Sequence, residues 1–189
     1  NTYDLKLIIT AAIPMLAGLL MYSAAGKIGE NIGLLGLLLV IGGVIVYIPE
    51  HFPQGNKNAS KLSSLDSVIL GLCTALSVLP GISRVGCILS YSSLRGADKN
   101  HAINWAFALS IPALVLISIF DLISIVSIGV SGATFLSILG CILAGICSFA
   151  AAWGGVLLMR FIAFRSSFSI FGYMNWGVAL VSFILYLIV

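Results

Sequence analysis

The sequence predicts an all-α polytopic membrane protein: five spanning helices plus one re-entrant helical hairpin, in an inverted-repeat architecture whose first repeat is incomplete. Three observations carry this. The 189 residues are 60% hydrophobic and only 8% charged, whereas a soluble domain carries about 25% charged residues. Apolar stretches of spanning length, about 20 residues, recur along the whole chain. One further apolar stretch is split by a Pro-Gly break into two arms, each too short to cross. The net charge of +3 is too small to suggest a nucleic-acid partner, and none is expected.

The elements follow in order. Residues 7–25, "LIITAAIPMLAGLLMYSAA", make a first span and residues 32–49 a second. The polar linker "EHFPQGNKNASKLSSLD" comes next. Residues 66–79 and 81–94 form the two arms on either side of Pro80-Gly81. A hydrocarbon core of about 30 Å takes about 20 helical residues, so neither arm reaches across it. Three more spans are expected at 102–125, 133–159 and 170–189.

The arms are either one broken span or a hairpin that enters and leaves on one face. Lys and Arg collect on the cytoplasmic side of membrane proteins. A hairpin gathers Lys6, Lys57, Lys61, Arg95, Lys99, Arg160 and Arg165 on one face and leaves Lys27 on the other. A span would instead set Lys27, Arg95, Lys99, Arg160 and Arg165 against Lys6, Lys57 and Lys61. The first partition is the cleaner, so a hairpin entering from the cytoplasm is predicted. That topology also puts the sequon Asn58-Ala59-Ser60 in the cytoplasm, where it is not a glycosylation site.

An internal repeat fits the same class. "ITAAIPMLAGLL" and "FALSIPALVLIS" share an Ile-Pro pair inside an apolar helix, at Ile13-Pro14 and Ile111-Pro112, 98 residues apart. The same shift carries Gly42 to Gly140. Residues 1–65 then form the remainder of a first repeat. Residues 66–189 form the second, with the hairpin at 66–95 and three spans after it. The chain opens on Asn1 without a targeting segment, and the offset would set the partner of the hairpin before residue 1. An upstream hairpin and most of one span are therefore expected beyond this sequence.

The hairpin bend carries the chemistry: "LPGISRVGCILSYSSLRG", residues 79–96. An arginine at membrane depth costs roughly 2.5–3.5 kcal/mol on insertion scales and marks a functional site by default. Arg84 offers a planar fork of donors suited to phosphate or carboxylate. Gly81 lets backbone approach a ligand closely. A helix beginning near Ile82 aims free N–H groups and its positive dipole end at the turn, and Ser83 adds a hydroxyl. Together, Gly81, Ser83 and Arg84 describe an oxyanion cradle, with phosphate the natural occupant. The competing reading is a structural kink, with Arg84 snorkelling or paired to an acid such as Asp121 in another helix.

"GLCTALSVLPGISRVGC", followed by "RGADKNHAINWAFALSIPALVL", resembles the second signature region of the undecaprenyl-diphosphate phosphatases, the BacA-type family. The family pattern is Pro-Gly-x-Ser-Arg-Ser-Gly-Ala-Thr and then, after a Gly-rich turn, Phe-Ser-Phe-Leu-Leu-Ser-Ile-Pro. Pro80, Gly81, Ser83, Arg84 and Gly86 match the first part; Phe107, Leu109, Ser110, Ile111 and Pro112 match the second. The resemblance implies a multi-pass hydrolase of the bacterial inner membrane that converts undecaprenyl diphosphate to undecaprenyl phosphate and phosphate. It recycles the lipid carrier of cell-wall synthesis and confers bacitracin resistance. Pro80, Gly81, Ser83, Arg84 and Gly86 would bind the diphosphate, and Ser83 and Arg84 would stabilise the transferred phosphoryl group.

The resemblance also implies a divalent cation, Mg²⁺ or Ca²⁺, with ligands outside this chain. The implied partners are a polyprenyl diphosphate lipid and the bilayer, and a homodimer is compatible with it. The sequence departs from the family twice. The first signature, a Glu-rich helix followed by Pro-Val-Ser-Ser-x-Gly-His, is absent, which leaves open that this chain is inactive alone. Val85 and Ile88 stand where the family has Ser and Thr. The alternative function is a non-catalytic lipid-phosphate carrier or flippase, or an inactive relative of the same fold.

The other polar residues carry less. Cys73, Cys87, Cys141 and Cys147 sit in apolar surroundings without a CxxC pair and read as packing residues. His51 and His101 fall in or beside loops, and Glu30 and Glu50 flank spans as solvated groups. Asp98 reads as a helix N-cap and Gly96 as the stop of the preceding arm. Tyr47, Trp105, Trp153, Tyr173 and Trp176 fit interfacial belts or packing.

Overall fold

The computed structural model describes residues 2–51, 55–57, 61–128, 135–165 and 167–188. Among the described residues the regular structure is helical, with no strand; a backbone bridge ties Lys57 to Ala97. The sequon Asn58-Ala59-Ser60, the first two residues of the span expected from 133, and Val189 lie outside the described residues.

The first expected span is two helices, α1 (Thr2–Met15) and α2 (Ala17–Glu30), set at 40° to one another. Pro14 lacks the N–H that would bond the carbonyl of Thr10, and its ring crowds that carbonyl. Its counterpart Pro112 sits inside α6 (Lys99–Ile128), which runs on past it. The Ile-Pro pair is therefore not inside an unbroken helix in both places. At the bend α1 also carries α4 (Ser64–Leu76): a Cβ on Gly71 would strike the Ala11 carbonyl and lie 2.8 Å from Pro14 Cγ.

Asn31 starts α3 (Ile32–Tyr47), its side chain accepting the N–H groups of Gly33 and Leu34 at 3.1 Å each. A tight turn, Ile48–His51, extends α3. There Glu50 accepts the backbone N–H of Phe168 at the start of α8 (Ser169–Ile188). α3 and α8 lie side by side, with Gly36 against the Phe183 ring and Trp176 Nε1 donating to the Val40 carbonyl at 3.2 Å. Small residues at such a seam let helix backbones approach, the main source of helix association in lipid.

The two arms are α4 and α5 (Arg84–Leu94), of 13 and 11 residues. At 1.5 Å per residue they are about 20 and 17 Å long, well short of a hydrocarbon core. Among the described residues, four helices are long and apolar enough to cross a membrane: Ile32–His51, Lys99–Ile125, Ser137–Ile162 and Ser169–Ile188. The bent α1–α2 pair adds a fifth if it counts as one span. α6 is capped as its sequence implied, Asp98 Oδ2 accepting the N–H groups of Asn100 (3.1 Å) and His101 (3.2 Å).

Packing divides the chain into two units, residues 1–115 with 168–189, and residues 116–167. In the first, Ala11, Leu70, Ile88, Trp105, Ala106 and Leu109 form a buried cluster where α1, α4, α5 and the start of α6 meet. Trp105 Nε1 donates to Asp4 Oδ1 at 2.9 Å, joining α6 to α1. Packing here joins the parts of the chain before and after residue 65, since α1 and α2 lie on α4 and α3 lies on α5. The second unit holds the end of α6 and α7 (Phe135–Arg165), whose Phe149, Trp153 and Phe161 are exposed, as suits a lipid-facing surface.

Candidate functional site

The turn between α4 and α5 is longer than the Pro-Gly pair alone. α4 ends at Leu76 and α5 starts at Arg84, two residues later than the expected start near Ile82. The reason is Ser83, which caps α5: its Oγ accepts the N–H of Gly86 at 3.1 Å, an interaction worth about 1 kcal/mol. The backbone N–H groups of Arg84 and Val85, in the first turn of α5, have no intrahelical partner.

Residues 79–82 close a tight turn, with Ile82 N–H bonding the Leu79 carbonyl at 3.2 Å. Pro80 supplies the fixed φ of the second position, and Gly81 the φ of +89° that the third requires. The turn seats against α3. A Cβ on Gly81 would lie 2.9 Å from Leu39 N, and one on Gly42 would strike the Gly81 carbonyl. From α8, Asn175 Nδ2 donates to that same carbonyl at 3.4 Å.

Arg84 is half-buried. Its Nε donates to Ser77 Oγ at 3.0 Å, and Ser77 Oγ donates to the Thr74 carbonyl at 2.6 Å. Its terminal nitrogens meet no acceptor among the described residues. Among the described residues, the side chain that bonds Arg84 is a serine.

Pro80, Gly81, Ser83 and Arg84 therefore share one turn. Gly86 joins them through its backbone N–H on Ser83 Oγ; it is buried, and a Cβ there would meet Val46 Cγ2 at 2.5 Å, so it also lets α5 approach α3. Val85 and Ile88 place no hydroxyl at the turn, and Ile88 is in the buried cluster. His51 lies against the Tyr47 ring at 4.4 Å, and His101 stacks on Trp105 at 6.0 Å. Ser77 and Asn175 were not singled out in the sequence. For Asn175 the usable signal was a carboxamide within an apolar span, which is uncommon there; Ser77 resembles the other serines of these apolar helices and gave none.

At the open end of the hairpin sits Asp66, 2% exposed. It accepts from Tyr91 Oη (2.6 Å), Ser63 N (2.8 Å) and Ser63 Oγ (3.0 Å), and pairs with Arg95 Nε at 2.7 Å. Burial pushes this carboxyl up. The hydrogen bonds from Tyr91, the Ser63 backbone, Arg95 and the Ser63 hydroxyl outweigh burial and hold it at about 2. The clamp ties the start of α4 to the end of α5 and fixes how far apart the arms stand.

A divalent cation does not fit the turn. Its side chains are hydroxyls and a guanidinium, and among the described residues no three His, Cys, Asp or Glu gather to hold a metal. What the turn offers is oxyanion chemistry: a guanidinium fork, a capping hydroxyl with its proton to donate, and two helix N-terminal amides.

A family model described as bacitracin resistance protein BacA matches residues 2–181. An undecaprenyl-diphosphatase of Halothermothrix orenii is 26% identical over 181 residues, 95% of this chain and 68% of the relative. One from Carboxydothermus hydrogenoformans is 37% identical over 92 residues, covering 49% of this chain and 35% of the relative. One from Alkaliphilus metalliredigens is 28% identical over 173 residues, covering 91% and 62%. The matched segments thus span between 35% and 68% of these relatives' own lengths. With the match running over nearly all of its residues, the chain belongs to the bacitracin resistance protein BacA family.

Proposed function

We propose that this chain supplies the diphosphate-gripping half of a polyprenyl-diphosphate phosphatase acting on undecaprenyl diphosphate in the plasma membrane. The reaction adds water to the terminal phosphorus and breaks the bridging P–O bond, releasing prenyl phosphate and inorganic phosphate. The observation that carries the reading is Arg84, held by its Nε beside the Ser83-capped start of α5 with its fork unpaired among the described residues. Charge builds on the phosphoryl oxygens during transfer, and fixed donors stabilise it without reorganising. Arg84 takes two oxygens, while Ser83 Oγ–H and the N–H groups of Arg84 and Val85 take others.

The same reading makes α4 and α5 a re-entrant hairpin opening from the cytoplasmic face, within five spans and an inverted repeat. Non-helical backbone at membrane depth needs protein or a water-filled cavity around it, and α3 and α8 flank the turn. The divalent cation that the family resemblance implies would be held by residues other than those at this turn. The test is phosphate release from an undecaprenyl or shorter prenyl diphosphate by the protein expressed from its complete reading frame. Arg84→Ala should lower it by orders of magnitude; release that the substitution leaves unchanged contradicts the role.

A second reading is a lipid-phosphate carrier that binds and releases without cleavage. It is favoured by the turn itself, which has no carboxylate or imidazole to move a proton, and by Val85 and Ile88 in place of hydroxyls. A carrier would move prenyl phosphate between leaflets of a vesicle and release no inorganic phosphate; an enzyme would do the reverse.

A further inference from the structure

We infer that Ser77 is a positioning residue for Arg84, holding the guanidinium so that its terminal fork meets two oxygens of one phosphate group. The inference rests on the reading of the turn as a diphosphate site. Ser77 follows the last residue of α4, and its hydroxyl is committed on both sides. Its proton goes to the Thr74 carbonyl at 2.6 Å, and its lone pair takes the Arg84 Nε–H at 3.0 Å. A hydroxyl has one proton to give, so Ser77 has none left for a ligand and is not a nucleophile as it stands. What it does is orient.

The choice of nitrogen gives the orientation its meaning. An acceptor at Nε fixes the plane of the guanidinium from the side and leaves both terminal nitrogens free, the edge that matches a phosphate bidentately. Binding through the terminal nitrogens would instead have consumed the fork. The anchor also sits at the carboxyl end of α4, where carbonyls without helical partners and the negative end of the dipole favour a cation. Arg84 is thus pinned between the C-terminus of one short helix and the N-terminus of the next, seven residues from its anchor. Val85, where the family resemblance has a hydroxyl, leaves Ser77 as the serine that contacts Arg84 among the described residues.

The test compares wild type with Ser77→Ala, Ser77→Cys, Ser77→Thr and Arg84→Ala in lipid nanodiscs, measuring the Kd for inorganic pyrophosphate, helical content and melting temperature. Ser77→Ala should weaken pyrophosphate about tenfold with the melting temperature unchanged. Cysteine, a weaker acceptor, should fall between, and threonine should restore affinity to within about twofold. A merely structural serine would shift melting and binding together and would not sort by acceptor strength. Wild-type affinity in both Ser77→Ala and Ser77→Cys, with Arg84→Ala defective, overturns the inference while leaving the site standing. Undiminished pyrophosphate binding by Arg84→Ala overturns the site itself. Should Ser77→Ala fail to fold, wild-type affinity in Ser77→Cys alone overturns the inference.

Discussion

Asn175 and Gly81 lie 94 residues apart in the chain, yet the Asn175 side-chain amide donates to the Gly81 carbonyl at 3.4 Å. α8 thereby holds the bend between α4 and α5 against α3, on the side where Gly42 leaves no room for a side chain. Most of the site's precision follows from this seat, because a short helix presents its N-terminus only where its preceding turn is fixed.

Enlarging the seat should therefore displace the turn. Gly42→Ala puts a methyl group into the Gly81 carbonyl, and overpacking of this kind costs about 1–3 kcal/mol. Melting in detergent should fall by several degrees, and pyrophosphate affinity should fall with it. Asn175→Ala removes one long hydrogen bond without adding bulk, so it should cost about 1 kcal/mol or less. A Gly42→Ala protein with wild-type melting and binding would show that the turn is not seated there.

The Asp66 clamp predicts an acid-labile hairpin. The carboxyl is held at about 2, below the ordinary value of 3.8. A group depressed in this way stabilises the fold fully above its unfolded value and loses that contribution as pH falls through the folded value. Melting temperature should be level from neutral pH to about 4 and drop between about 4 and 2. Asp66→Asn should cost about 1–3 kcal/mol at neutral pH, since the amide keeps one acceptor oxygen where Tyr91 and Ser63 bond two different ones in a buried place, and it loses the charge facing Arg95; it should also flatten the acid limb. An unaltered acid limb in Asp66→Asn would mean that another carboxylate produces it.

The re-entrant topology predicts that Lys57, bridged to Ala97 beside the open end of the hairpin, faces the cytoplasm. In a background with Cys73, Cys87, Cys141 and Cys147 replaced, a cysteine at position 57 should react with an impermeant thiol reagent in inside-out vesicles only. Labelling from outside intact cells would reverse the topology.

The site was legible where a residue was out of place for its surroundings. A Pro-Gly pair and an arginine in an apolar stretch point to a turn, and the structure has one there with φ of +89° at Gly81. The start of α5 was misplaced by two residues because Ser83 reads as a loop hydroxyl or as a cap with equal ease; only its bond to Gly86 decides. Ser77 and Asn175 stayed hidden because their partners lie 7 and 94 residues away, and composition does not show which polar groups meet. The two Ile-Pro pairs read alike, yet one marks a 40° bend and the other does not. A dipeptide sets what the backbone loses, not what packs against it.

The proposed function stands on the grip of Arg84 on the phosphates of a lipid. Its most direct test is the Kd for a prenyl diphosphate in nanodiscs, wild type against Arg84→Ala and Arg84→Lys. Losing a charged, two-point contact should weaken binding on the order of a hundredfold in Arg84→Ala, and lysine, which lacks the fork, should recover only part of it. Equal affinity in all three proteins would contradict the account.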